Sequence, residues 1–356
     1  MRSGRVTALQ IRGTPVNVAR CCSSPLIAAQ GMAPAPAELR TFRDWIVGCD
    51  NGRACEAVAL LPEDADWEQW TTFSLSRGPQ AEARLDLVFA DLTDSPASLW
   101  ADGSRLDVRF ATANDGLAVV PADEDAFVSV LRQAGTLELR DAAGEVIKRV
   151  SLSGASAAML YLDEQQRRLG SVTALVDRGP RPAAAIPAPP VLPRVTLAPA
   201  AGEGPPEIGA SEIAELRGQN GCTIDEVGGP DEHEVAQIAP GTTLILLACG
   251  TGAYNLSSLP FIARREGGRL TAEIAPFDSQ WGLSDLGRPT LINAFWDAGS
   301  RLLRELSKGR GIGDCGTHAT YGWDGRRFRL VEQEEMGECR GSMDYIFTWR
   351  SEIVRP

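Results

Sequence analysis

Apolar and polar residues alternate over short runs along most of this chain, and turn residues separate the runs. Trp45–Cys49 and Cys55–Leu61 flank Asp50-Asn51-Gly52-Arg53-Ala54, in which Asn-Gly is a strong hairpin signal. Thr71–Arg77, Arg84–Ala90 and Arg105–Ala111 continue the series of strands, with further turns at Asp102-Gly103 and Asp115-Gly116. Thr136–Arg140 and Val146–Leu152 alternate across Ala143-Gly144 and predict another hairpin. Two stretches carry a helical period instead. Asp123–Ala134 spaces Phe127, Val130 and Leu131 for one face behind an acidic first turn, which suits the helix dipole. From Ser153 onward, Ala155, Ala158, Met159, Leu162 and Leu169 predict a buried stripe, and Gly170 a stop. Asp163, Glu164, Gln165, Arg167 and Arg168 fall opposite, so Asp163 and Arg167 are expected as an exposed pair worth about 0.3–0.5 kcal/mol.

The second half opens with a short helix and returns to strands. Thr242–Ala248 is a near-continuous apolar run of strand length, suited to a central buried position. Phe261–Arg264, Arg269–Ala275, Thr290–Trp296 and Arg301–Ser307 add strands, and Asp324-Gly325 joins Thr320–Trp323 to Arg327–Val331 in a hairpin. Between the halves, from Gly179 to Gly209, prolines interleave with alanine. Proline fixes φ and lacks a donor, so this stretch is expected to be extended. The expected fold is mainly β with a few helices (α+β). Two β-rich domains, residues 38–179 and 209–356, are joined by a Pro/Ala-rich linker, 180–208, and braced by local disulfides. No regular repeat supports a propeller or solenoid.

Composition narrows the function classes. A net charge of −12 argues against a nucleic-acid groove, which needs clustered Lys and Arg. No apolar run approaches the ~20 residues of a membrane span. The eight cysteines include three sequence-neighbour pairs: Cys49 with Cys55, Cys222 with Cys249, and Cys315 with Cys339. None has Cys-x-x-Cys spacing, so zinc ribbons and dithiol redox sites lose ground to disulfides in an oxidising compartment. Cys49 and Cys55 are the best pair, because a hairpin sets them opposite each other; for the other cysteines different connectivities stay open. Residues 1–37 are expected to be an atypical or misassigned export leader. Arg2, Arg5, Arg12 and Arg20 are scattered through a weakly apolar stretch, whereas Pro25–Gln30 resembles the end of a signal region. Its cleavage would remove Cys21 and Cys22, and Arg20 blocks a lipid-anchor site at Cys21.

The segments FRDWIVGCDNGRACEAVAL, Phe42 to Leu60, and VSLSGASAAMLYLDEQQRRLGSVTALVDRG, Val150 to Gly179, resemble a secreted bacterial family known as domain of unknown function 1176. LILLACGTGAYN, Leu244 to Asn255, LSKGRGIGDCG, Leu306 to Gly316, and YGWDGRRFRL, Tyr321 to Leu330, resemble its second-half motifs. The first half also distantly resembles invasion-associated locus B proteins, through Asp44-Trp45, the cysteine pair and Ser151-Leu152-x-Gly154. The resemblance implies a periplasmic or secreted protein of a Gram-negative bacterium and carries no established activity.

Catalytic motifs are weak. Gly311-Ile312-Gly313-Asp314-Cys315-Gly316 matches G-x-G-x-x-G, but a strand is expected after it where a dinucleotide site needs a helix, and Asp314 would repel an anion. Cys315 and His318 suggest a thiol nucleophile, yet Cys339 offers Cys315 a structural partner. Two histidines, His233 and His318, leave no three-histidine zinc site, and no G-x-S-x-G elbow is present. No catalytic residue, cofactor or metal ligand is assigned. Tyr254, Asn255 and Trp323 are the candidate recognition residues, because aromatic side chains on a braced β scaffold provide rigid contact area. The expected function is a noncatalytic envelope module, periplasmic or secreted, whose partner is an envelope protein or small ligand. The alternative is a hydrolase with carboxylates in an interdomain cleft.

Overall fold

The computed structural model describes residues 33–356 except 91, 93–95, 114–115, 203, 205–206, 223–232 and 280–287. Leader residues 1–32, with Cys21 and Cys22, and the turn residue Asp115 lie outside the described residues.

The first half runs β1 (Arg40–Phe42), β2 (Trp45–Cys49), β3 (Cys55–Ala59), β4 (Phe73–Arg77), β5 (Leu85–Ala90), β6 (Ser98–Ala101), β7 (Ser104–Arg105), β8 (Phe110–Ala113) and β9 (Gly116–Val119). It continues through α1 (Glu124–Gln133), β10 (Thr136–Arg140), β11 (Val146–Ser151) and α2 (Ala155–Gln165). An antiparallel seven-stranded sheet has the order β1-β2-β3-β4-β5-β9-β8, and a second sheet has the order β11-β10-β6-β7. Alternation sends Trp45, Val47, Ala57, Phe73, Leu75, Leu87 and Phe89 to one face of the large sheet, where they form a core with Phe127 of α1 and Met159 and Leu162 of α2. Phe73 lies at its centre, with ring centroids 4.8 Å from Phe89, 5.8 Å from Phe127 and 6.1 Å from Trp45. Burying each such side chain contributes about 1.5–3 kcal/mol. The opposite face is covered too, since Ile46, Val58 and Leu60 pack against residues of the second half. All five residues of β2 are therefore buried, which is why that strand reads as an unbroken apolar run.

The predicted strand Arg105–Ala111 divides between the two sheets. Asp123 draws the chain aside by accepting hydrogen bonds from both the backbone N–H and the guanidinium of Arg109. The second predicted helix stops at Gln165, short of Leu169, because Arg167 takes a left-handed conformation with φ of 60°. Before that helix, Gly154 has φ of 104°, and a Cβ there would lie 1.8 Å from the Phe42 carbonyl oxygen. Only glycine fits that turn.

The second half contains β12 (Arg194–Thr196), α3 (Ala210–Asn220), β13 (His233–Ala239), β14 (Thr242–Thr251), β15 (Leu256–Glu266), β16 (Arg269–Ile274) and β17 (Leu291–Ile292). It ends with β18 (Phe295–Asp297), β19 (Leu302–Lys308), β20 (Gly316–Trp323), β21 (Phe328–Met336), β22 (Ile346–Arg350) and β23 (Glu352–Val354). One sheet has the order β13-β14-β15-β16, with β17 also paired to β15; another has the order β18-β19-β20-β21-β22. Their facing apolar sides enclose Leu244, Leu246, Ile262, Leu303, Tyr321, Trp323 and Phe328. The predicted strand Thr290–Trp296 is split at Asn293, whose φ is 46° and whose amide donates to the Leu306 carbonyl. The Pro/Ala-rich stretch is not extended throughout: Ala183–Ala185 form a single 3-10 turn, and the remainder is partly engaged. After Pro193, β12 pairs in parallel with β23, and Val195 and Leu197 are buried beside Leu302 and Val331.

Three disulfides brace these sheets: Cys49–Cys55 across β2 and β3, Cys222–Cys249 between the end of α3 and β14, and Cys315–Cys339 beside β20. In the first hairpin, Asp50 Oδ1 accepts from the N–H groups of Gly52 and Ala54 at 2.8 Å each. Asn51 is committed elsewhere: its amide exchanges hydrogen bonds with the backbone of Arg350 at 2.8 and 3.0 Å, tying the hairpin to β22.

Candidate functional site

The loop Gly309–Asp314 leaves β19 and returns through Cys315 into β20. Gly309 N–H bonds the Cys315 carbonyl at 2.8 Å, and Gly313, at φ of 78°, bonds the Arg310 carbonyl at 2.9 Å. Asp314 is buried beneath the loop, where its carboxylate takes a forked ion pair from Arg310 and the N–H of Gly341 at 2.8 Å. Burial opposes that charge, but Arg310 and the Gly341 N–H outweigh it and hold the carboxyl below its ordinary range. Tyr345 donates from its hydroxyl to the Gly313 carbonyl at 2.9 Å; burial, then Asp314, pushes that phenol up to about 12. The G-x-G-x-x-G match therefore leads into a strand, and its acidic residue is sealed in an ion pair. Cys315 is bonded to Cys339, while His318 stacks on Tyr345 at 4.2 Å and faces Glu334 at 3.4 Å.

This braced loop carries the exposed apolar surface. Tyr254 is 41% exposed and donates to the Gly309 carbonyl at 2.9 Å, so its ring is fixed along the loop. Arg310 lies 5.2 Å from the ring centroid of Trp67, which is also exposed. Ile312 projects from the loop at 58% exposure, and Met343 is exposed within the segment whose Gly341 and Tyr345 bond that loop. Of the sequence candidates, only Tyr254 faces outward. Asn255 is taken up structurally, since its amide holds both the N–H and carbonyl of Lys308 and accepts from Asn293. Trp323 corrects the expectation of a surface residue: it is 3% exposed and packs on Phe328 in the core, because alternation along β20 turns it inward. Trp67 and Ile312 were missed. Their signals are an indole between the acidic run Glu63-Asp64-Ala65-Asp66 and Glu68, and an isoleucine between two loop glycines with no strand to bury it.

A second concave feature lies where the first sheet meets β22. A cavity of about 230 Å³ is lined by Cys55, Glu56, Ser76, Arg77, Gly78, Phe347 and Arg350, among others. Burial first, then the carboxylates of Asp344 and Glu334, pushes Glu56 up to about 8. Behind the cavity sits a polar cluster that replaces the exposed Asp163–Arg167 pair expected from the helical wheel. Asp163 is fully buried, meets Arg77 Nη2 at 2.8 Å, and accepts the N–H groups of Leu175 and Val176. Gln166 Oε1 accepts from Arg77 and the buried Arg168, while its amide nitrogen donates to three backbone carbonyls. Helical period marks Asp163 and Arg168 as solvent-facing; the chain beyond α2, folding back over them, buries both. Among the described residues, no group of three or more His, Cys, Asp or Glu side chains is arranged to hold a metal, and no helix is long and apolar enough to cross a membrane.

Comparison with known proteins agrees with the sequence resemblance. An uncharacterized protein, YpfG of Escherichia coli (strain K12), is 30% identical over 328 residues, covering 86% of this chain and 89% of that protein. The crystal structure of invasion associated protein B from Bartonella henselae matches 36% of this chain and 99% of its own, with 19% identity and a TM-score of 0.27. The family model described as protein of unknown function (DUF1176) matches residues 39–352, and the chain belongs to that family.

Proposed function

We propose that this chain is an exported periplasmic module that binds an envelope partner and catalyses no reaction. One observation carries the reading: four of the nine large apolar side chains exposed among the described residues, Trp67, Tyr254, Ile312 and Met343, border one braced loop. Rigid aromatic area costs little entropy to immobilise, and grouped apolar exposure marks interaction sites. The three disulfides support an oxidising compartment. The test is quantitative capture from periplasmic extract on immobilised protein, comparing wild type with Trp67→Ala and Tyr254→Ala after circular dichroism shows both folded. A partner retained by wild type and lost by both variants is expected. Capture of nothing above background, or equal capture by the variants, removes the proposed surface. Carboxylate hydrolysis is the second reading, favoured by the placement of Glu56 in the cavity beside β22.

A further inference from the structure

The first sheet and β22 meet along a seam with few direct polar ties, flanked at one end by Arg340, which bonds Asp44 and the carbonyls of Arg43 and Leu61. Asn51 bonds both backbone groups of Arg350, Ala37 N–H bonds the Thr348 carbonyl at 3.0 Å, and Ile46 and Val58 pack against Ile346. Glu56 lies on the face of β3 turned toward this seam, at the wall of its cavity. Among the described residues, no group donates a hydrogen bond to its carboxyl. The charged groups around it come from each packed element. Asp344 precedes β22, Glu334 lies on β21 with His318 of β20 at 3.4 Å, and Arg350 lies on β22. Arg77 of β4 also lines the cavity, but Asp163 and Gln166 hold its guanidinium. Arg350 is divided as well: its guanidinium lies 3.7 Å from the Phe347 ring centroid and 3.4 Å from Asp50. An ionised Glu56 in the closed seam would thus stand beside two carboxylates, with one shared arginine.

We propose that this seam is a pH-responsive joint, closed while Glu56 keeps its proton and opened as Glu56 ionises. The sign follows from the shift to about 8 from 4.5. The closed state binds the proton more tightly, so closure is fully favoured below about 4.5, weakens about tenfold per pH unit above that, and levels off beyond about 8. The joint also runs between Trp67 in the first half and Arg310 in the second, so opening would divide the surface proposed above. It stands whether or not that surface binds a partner.

Hydrogen exchange of the whole chain at pH 5 and pH 8, corrected for intrinsic rates, tests the joint. For wild type, protection of peptides spanning 346–350 and 50–54 should fall by about several hundredfold across that range, while core peptides spanning 85–89 change little. In Glu56→Gln, whose side chain mimics the protonated acid, seam protection should vary less than about threefold; unchanged core protection shows that the variant folds. His318→Gln should keep the wild-type pH dependence. Constant seam protection in wild type, an undiminished fall in Glu56→Gln, or loss of the fall in His318→Gln would each overturn the proposal.

Discussion

Removing Asp163 should be among the most damaging single changes in the first half. Arg77 and Arg168 are buried around this one carboxylate, and Asp163 also satisfies the N–H groups of Leu175 and Val176. Burial, then Arg168, lowers Arg77 to about 10, still well above neutrality, so a charged Arg77 stays buried against Asp163. Breaking a buried pair by deleting one partner costs about 3–5 kcal/mol, because the remaining charge is left without compensation. Asp163→Asn keeps an acceptor oxygen for the Leu175 and Val176 N–H groups, which share Oδ2, but loses the charge facing Arg77, and should sit near the lower figure; Asp163→Ala should reach about 5 kcal/mol. Against a typical total of about 5–15 kcal/mol, that is a third or more of the fold's stability. Urea denaturation followed by far-ultraviolet circular dichroism, fitted with a common m-value, measures the change. Arg167→Ala should shift stability by less than about 0.5 kcal/mol in the same assay. A loss below about 1 kcal/mol for Asp163→Ala would refute the buried-pair argument and restore the solvated helix face.

Glu305 is buried between the second-half sheets, accepting from Ile292 N–H at 3.1 Å, and burial pushes it up to about 7. Its stabilisation is complete below about 4.5 and is lost as pH rises to about 7, so Glu305→Gln should gain up to about 3 kcal/mol relative to wild type between pH 4 and pH 8 by denaturant melts. No relative gain would mean that the carboxyl is hydrated. Replacing Cys315 and Cys339 together by serine opens a loop of sequence separation 24. It should cost about 3 kcal/mol, and an unchanged melting curve would count against a bond at that position. Val191 is 92% exposed within the proline-rich stretch, whereas Val195 and Leu197 are buried. Elastase should nick first near Val191 and leave two fragments that co-elute on gel filtration at pH 5, because Ile46 and Val58 still pack on Ile346. Fragments that separate at pH 5 without denaturant would show two independent units.

Much of the fold was legible because alternation and turn chemistry act locally. The Cys49–Cys55 hairpin, the apolar Thr242–Ala248 run and the Asp324-Gly325 turn each specify their strands from neighbouring residues alone. What escaped was set by contacts distant in sequence. Asp163 looks solvent-facing until Arg77, 86 positions earlier, is brought against it. Trp323 has the composition of a recognition residue, yet the register of β20 turns it into the core, while Trp67 meets Arg310 only across the seam. Glu56 did carry a local warning, as a carboxylate inside the apolar strand Cys55–Ala59. Its neighbours Glu334 and Asp344 could not be found without the topology.

The most direct test of the binding claim is site-specific photocrosslinking in the intact cell envelope. A benzophenone side chain would be placed at Ile312, beside Tyr254 and Trp67, and at Val172, which is similarly exposed at 52% but outside the loop. Binding through the braced loop predicts a discrete higher-mass adduct from position 312, absent at 172 and abolished when Tyr254→Ala is added. No adduct at 312, or the same adduct from both positions, would contradict it.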